Sequence, residues 1–157
     1  IKPGNIIVTD ARKVKVLDFG LARRFRIADT GQLGLDGSTI PGRPIGTANY
    51  MAPERILQLP VDPRSDLFSL GVIIYEMATG RLPFAGTSPS ETVTNVLEKE
   101  PTPLTTLAPD RPRELERIVK QLQSKRAPDR YQSADDLRAA LASLMRPRRV
   151  WQRLFQS

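Results

Sequence analysis

The 157-residue chain has no cysteine and no histidine. Without cysteine it has no disulfide framework, no thiolate metal site and no sulfur nucleophile, which is compatible with a reducing compartment. Without histidine it lacks the commonest general base and a frequent metal ligand. Long apolar runs are missing too. The longest, Leu70 to Tyr75, is far too short to span a bilayer, and no signal-peptide pattern opens the chain. Its first residue is Ile1 and not methionine, so a segment upstream is expected.

What is present suits one compact domain or a large piece of one. Hydrophobic residues make up 39% of the chain, enough for a packed core, and charged residues 26%. A net charge of +7 raises nucleic acid or anionic membrane as partners. The distribution argues against nucleic acid. Arg146, Arg148, Arg149 and Arg153 crowd the last stretch, Arg23, Arg24 and Arg26 form a second cluster, and the remainder is nearly balanced.

Asn5-Ile6-Ile7-Val8 and Val14-Lys15-Val16-Leu17 are short β-branched runs around a polar turn, and they predict a hairpin. Ala28 to Pro44 is rich in Gly, Ser, Thr and Pro without a period and reads as a loop. Its glycines do not make a phosphate cradle, because no strand precedes them and no Lys-Ser/Thr follows. From Ser65 to Thr79, Leu67, Phe68, Leu70, Val72, Ile73, Ile74 and Met77 point to all sides of a helix that Gly80 ends. Such a helix belongs in the middle of a domain. Three amphipathic helices are expected after it: one behind the capping box Ser88-Pro89-Ser90-Glu91, one after Pro112, and one from Ser133 carrying Leu137, Leu141 and Leu144. Prolines 101, 103, 109 and 128 punctuate them.

The chemistry-bearing residues begin with Lys2-Pro3-Gly4-Asn5, separated by twelve residues from Asp18-Phe19-Gly20. Asn and Asp offer hard oxygen ligands and Lys a mobile positive charge; at the two ends of one hairpin they can meet around a Mg-nucleotide. Taken singly, Asn5 caps a turn and Asp18 ends a strand. Taken together and in order, they resemble the catalytic and metal-binding loops of the protein kinase family. Three further stretches extend the resemblance. Gly46-Thr47-Ala48-Asn49-Tyr50-Met51-Ala52-Pro53-Glu54 resembles the end of an activation segment, Asp62 to Gly71 the start of the central buried helix, and Asp129-Arg130-Tyr131 the site of a structural arginine. The style is similar to eukaryotic-like bacterial serine/threonine kinases.

The resemblance implies a protein kinase-like α+β fold: the mostly α-helical C-terminal lobe over residues 1–145, with a small β-hairpin at the active-site edge, then a basic tail over 146–157. It implies ATP and Mg²⁺ as cofactors and Ser/Thr hydroxyls of protein substrates as acceptors. Asp18 and Asn5 would hold the metal, Lys2 would steady the γ-phosphate, and Thr47 would help seat the substrate hydroxyl. Thr30, Ser38 and Thr39 are candidate phosphorylation sites in the loop after Asp18. Structural roles fall to Phe19 and Gly20, to Glu54 and Arg130 as a buried ion pair, and to Asp66 as an anchor for catalytic-loop amides.

The family's catalytic aspartate would precede Ile1, and no Gly-x-Gly-x-x-Gly or Val-Ala-x-Lys occurs in these residues. The chain is therefore expected to lack the N-terminal lobe and to be inactive alone. The alternatives are a pseudokinase, with the fold used as a scaffold, or a truncated binding module. For the tail, Arg146 to Phe155, contact with anionic lipid stands against a solvated tail or a last turn packed on the domain. The kinase domain is expected in the cytoplasm, with membrane tethering of the parent left open.

Overall fold

In the computed structural model, residues 1–17 and 45–145 are described, the side chains of 45–47 excepted. After a 3-10 turn at Pro3–Asn5, β1 (Ile6–Val8) pairs antiparallel with β2 (Val14–Val16) in the register Ile6 to Val16, Ile7 to Lys15 and Val8 to Val14. Arg12 adopts a left-handed φ of 56° in the connecting turn, which the Thr9 carbonyl closes by accepting from the Arg12 amide at 2.8 Å. The predicted hairpin is present, with Asn5 in the turn before it and not in the strand. Its apolar side chains are not covered: Val8 is 64% and Val14 65% exposed.

After a second 3-10 turn, Ile45–Tyr50, the described body is helical: α1 (Pro53–Ile56), α2 (Arg64–Thr79), α3 (Pro89–Glu98), α4 (Leu104–Leu107), α5 (Arg113–Leu122) and α6 (Ala134–Met145), with a 3-10 turn at Ala127–Asp129. Gly80 ends α2 at φ 69°, donating its amide to the Glu76 carbonyl at 2.7 Å. This is the left-handed C-cap that glycine enters without steric penalty.

Three apolar clusters surround α2, and α2 supplies each of them. Phe68 and Val72 pack with Ala52, Phe84 and Val96. Leu67 packs with Ile118, Leu122 and Leu137. Tyr75 packs with Leu104, Ala108 and Val119. A helix that fills cores on three sides needs apolar residues all round, which explains its sequence. Full burial of each large side chain contributes on the order of 1.5–3 kcal/mol. Met77 departs from the expected pattern: it is 79% exposed, and it belongs to none of the three clusters among the described residues. Gly71 lets α5 close on α2, since a Cβ there would stand 2.6 Å from the Leu122 Cβ.

The start signals of α3 and α6 act as expected, with one difference. Ser88 Oγ accepts from the Glu91 amide at 3.1 Å, and Ser133 Oγ from the Asp136 amide at 3.0 Å. The Glu91 carboxylate is held chiefly one residue earlier, accepting from the Thr87 amide and hydroxyl, both at 2.6 Å, with the Ser88 amide a weaker contribution. Helices α1 and α4 were not expected. Each is a single turn too short to show a period, and α4 is held by the Glu116 carboxylate accepting from the Thr105 amide at 2.6 Å. Among the described residues no helix is long and apolar enough to cross a membrane.

Candidate active site

The Pro3–Asn5 turn brings Lys2 and Asn5 together, because the Asn5 amide donates to the Lys2 carbonyl at 3.0 Å. The Asn5 carbonyl in turn accepts from the Leu17 amide at 2.6 Å. This bond closes the open end of the hairpin and sets Asn5 beside the residue that precedes Asp18 in sequence. Among the described residues, no side-chain partner engages Lys2 or Asn5. A hard amide oxygen and an ammonium, both uncommitted, are a donor set that fits a Mg-nucleotide. Asp18, Phe19, Gly20, Thr30, Ser38, Thr39 and the tail lie outside the described residues. So does the side chain of Thr47, whose backbone belongs to the Ile45–Tyr50 turn.

The base of this site is held to α2 at its first turn. The Ile1 nitrogen, a backbone amide wherever a residue precedes it, donates to Asp66 Oδ1 at 3.1 Å in an exposed contact. One turn further along α2, Ser69 Oγ donates to the Tyr50 carbonyl at 2.7 Å. The Tyr50 hydroxyl reaches one of the following turns and donates to Glu76 Oε2 at 2.6 Å. Burial and then the Glu76 carboxylate push the Tyr50 phenol above its ordinary range, which favours the protonated donor form. Beside it Asn49 Oδ1 is buried without a hydrogen-bond partner among the described residues.

The third attachment is the Glu54–Arg130 pair, which ties α1 to the segment after α5. Arg130 Nη1 and Nη2 donate to Glu54 Oε1 and Oε2 at 2.7 and 2.8 Å. The remaining guanidinium protons go to the carbonyls of Arg64, Ser124 and Lys125 at 3.1, 2.8 and 3.0 Å. All five donors of the fork are thereby used. Glu54 also accepts from Ser65 Oγ at 2.5 Å. Burial pushes its carboxyl up, but the Arg130 and Ser65 hydrogen bonds outweigh that and hold it below the usual range. The Arg130 side chain is fully buried, with its guanidinium 5.0 Å from the Phe68 ring centre.

Sequence reasoning brought Glu54, Asp66 and Arg130 forward but passed over Ser65, Ser69 and the Tyr50–Glu76 bond. A signal for the serines was available. They sit four apart and buried on one face of a largely apolar helix, where a small hydroxyl gains only if it has a partner. Nothing in the sequence pairs Tyr50 with Glu76.

The model of the protein kinase domain matches residues 1–143. The chain is 39% identical over 141 residues to the serine/threonine-protein kinase PknB of Mycolicibacterium smegmatis, covering 90% of this chain and 22% of that protein. It is 35% identical over 150 residues to the probable serine/threonine-protein kinase PknB of Corynebacterium glutamicum, covering 93% and 22%. To PknB of Mycobacterium tuberculosis H37Rv it is 38% identical over 141 residues, covering 90% and 22%. The chain thus spans about a fifth of the length of these relatives.

Proposed function

The chain belongs to the protein kinase domain family, and from that membership we propose that the protein carrying it transfers the γ-phosphate of ATP to Ser and Thr hydroxyls of proteins. Members of the family generally use ATP with Mg²⁺. Asn5 and Asp18 would hold the metal, which when bound neutralises phosphate charge. Lys2 would stabilise the γ-phosphoryl group electrostatically as it transfers, with no proton moved. Thr47 would orient the acceptor hydroxyl. Residues 1–145 would form the helical lobe, and 146–157 a basic tail beyond it.

The observation that supports this reading is the 2.6 Å bond from the Leu17 amide to the Asn5 carbonyl. It brings the two ends of the hairpin into register, so that the amide ligand and the chain leading to the carboxylate ligand meet at one edge of the lobe. Catalysis of this type depends mainly on positioning; the Asp66 contact holds that edge to α2, and the Ser69 and Ser65 bonds hold the segment 50–54 to the same buried helix.

Residues 1–157 contain neither the Gly-rich loop nor the strand lysine that cover and grip ATP in this family. We accordingly propose that this stretch, taken alone, transfers no phosphate. The test is Mg²⁺-dependent incorporation of γ-phosphate into a basic protein by the intact protein, its Asp18→Asn variant, and the isolated stretch. Activity is expected in the first only. An inactive intact protein that still binds partners would replace the reading with a scaffold role. Undiminished activity of Asp18→Asn would remove Asp18 from the metal site.

A further inference from the structure

Away from the hairpin, a cavity of about 650 Å³ opens between α1, α3 and the segment after α5. Leu57, Leu59 and Leu97 give it apolar walls, and Lys125 and Arg126 share one side. Lys125 does not extend into water. Its Nζ donates to the Val96 carbonyl at 2.9 Å and the Asn95 carbonyl at 3.5 Å, in the last turns of α3. It also stands 4.0 Å from the centre of the Phe84 ring. Phe84 stacks on Phe68 at 5.8 Å, and Arg130 lies over Phe68. The two rings therefore carry one cation each, with Lys125 on the cavity side.

We propose that Lys125 is an acylation site, its amine taking the acyl group of a small acyl phosphate that enters this cavity. Three features converge on that chemistry. The amine is half-buried, so only a small donor reaches it. Burial brings its pKa down to about 8, with Glu100 opposing and Arg130 adding to the shift, so free base is present near neutrality. Arg126 is largely exposed and holds Asp129 only at 3.8 Å, which leaves a cation beside the amine for the phosphate. Glu54, Asp62, Arg64 and Glu98 are the other charged residues of the lining. Of these, Glu54 is engaged by Arg130, and Asp62 and Arg64 by each other.

In the step, the lone pair of the neutral amine attacks the acyl carbon. The N–C bond forms, the C–O bond to phosphorus-bound oxygen breaks with its electrons going to that oxygen, and the amine proton ends on the released phosphate. The product nitrogen is neutral and keeps a single N–H. It can hold only one of the two α3 carbonyls and no longer places a cation over Phe84, so acylation loosens the end of α3.

The test is site-resolved mass spectrometry of the intact protein treated with acetyl phosphate between pH 7 and 10. At pH 8 an ordinary lysine is almost wholly protonated. Allowing for the weaker nucleophilicity of a less basic amine, Lys125 is expected to react on the order of tenfold faster than Lys99 and Lys120. Its rate should level off above pH 8. Leu97→Trp, which narrows the cavity, should slow Lys125 several-fold and leave Lys99 unchanged. Labelling of Lys125 no faster than Lys99 and Lys120 overturns the proposal, as does labelling that Leu97→Trp leaves untouched.

Discussion

Glu54→Gln is a substitution whose consequence the structure lets one calculate. It preserves shape while removing the charge opposite a guanidinium whose side chain is fully buried. One of the two short bonds to Arg130, at 2.7 and 2.8 Å, must be lost, because an amide offers one oxygen where the carboxylate offered two. Leaving one member of a buried pair uncompensated costs about 3–5 kcal/mol. With an m-value of about 2 kcal/mol/M, the urea midpoint should fall by about 2 M. Arg130→Met should be worse, since it also orphans the carbonyls of Arg64, Ser124 and Lys125, each a further loss of about 1–3 kcal/mol as an upper range. Arg130→Lys keeps the charge but brings three protons to a site that uses five, and should fall between wild type and Met. The pH dependence has a definite sign. The folded Glu54 carboxyl is held below its ordinary value of 4.5, so its contribution is complete above that pH and disappears as pH falls through the lowered value. The gap between wild type and Glu54→Gln should accordingly narrow in acid. Urea unfolding of the protein at pH 7 and pH 3.5 measures both. A Glu54→Gln midpoint within 0.5 M of wild type, on the order of 1 kcal/mol, would refute the reasoning.

Gly71→Ala should destabilise despite the better helix propensity of alanine, because its Cβ would meet the Leu122 Cβ at 2.6 Å; about 1–3 kcal/mol of overpacking exceeds the gain of about 1 kcal/mol, and the melting temperature reads the difference. Ser88→Ala removes the acceptor for the Glu91 amide and should cost about 1 kcal/mol, measured by denaturant unfolding, with Ser88→Asp close to wild type. Lys125→Met should lose ground relative to wild type as pH rises from 8 to 10, because the depressed folded pKa of Lys125 makes wild type release its proton on folding in that window; paired unfolding curves at pH 7.5 and 9.5 test this. Asn5→Ala should lower phosphoryl transfer by the intact protein at fixed Mg²⁺ and raise the Mg²⁺ needed for half-maximal rate, without shifting the melting temperature, since its side chain has no partner among the described residues.

The parts of the fold that could be read in the sequence are those where one physical signal dominates. The α2 helix is legible because residues on all its sides are apolar and Gly80 stops it; the hairpin is legible because β-branched residues flank a polar turn. Helices α1 and α4 carry no such signal. A single turn shows no periodicity, and each is fixed by contacts from elsewhere, α4 by Glu116 and by the Tyr75 hydroxyl donating to the Thr102 carbonyl at 2.8 Å. The exposure of Met77 shows the same limit. Its position on α2 says which way it points, but not whether a neighbour among the described residues covers it.

For the candidate site, the decisive distinction lies between residues that act and residues that attach. Lys2, Asn5 and Asp18 are legible through the chemistry they could perform, but the attachments depend on partners far apart in sequence. Ser69 to Tyr50, Glu76 to Tyr50 and Ser65 to Glu54 all join α2 to the segment 50–54, and Asp66 joins the same helix to Ile1. Four polar residues along one helix thus fix two separate strips of chain, the turn bearing Asn5 and the segment ending in Glu54. A rigid buried helix moves as a unit, so these strips keep their spacing even though no contact between them is needed. That arrangement predicts a specific asymmetry. Loosening an attachment, as in Ser69→Ala, should lower phosphoryl transfer by shifting substrate-side geometry while leaving nucleotide affinity unchanged. Asn5→Ala should lower transfer by a different route, through weaker binding of the Mg-nucleotide, so that saturating Mg²⁺ restores much of its rate and does not restore that of Ser69→Ala. Equal loss of both quantities in Ser69→Ala would mean that the strips are coupled directly and that α2 is not their common frame.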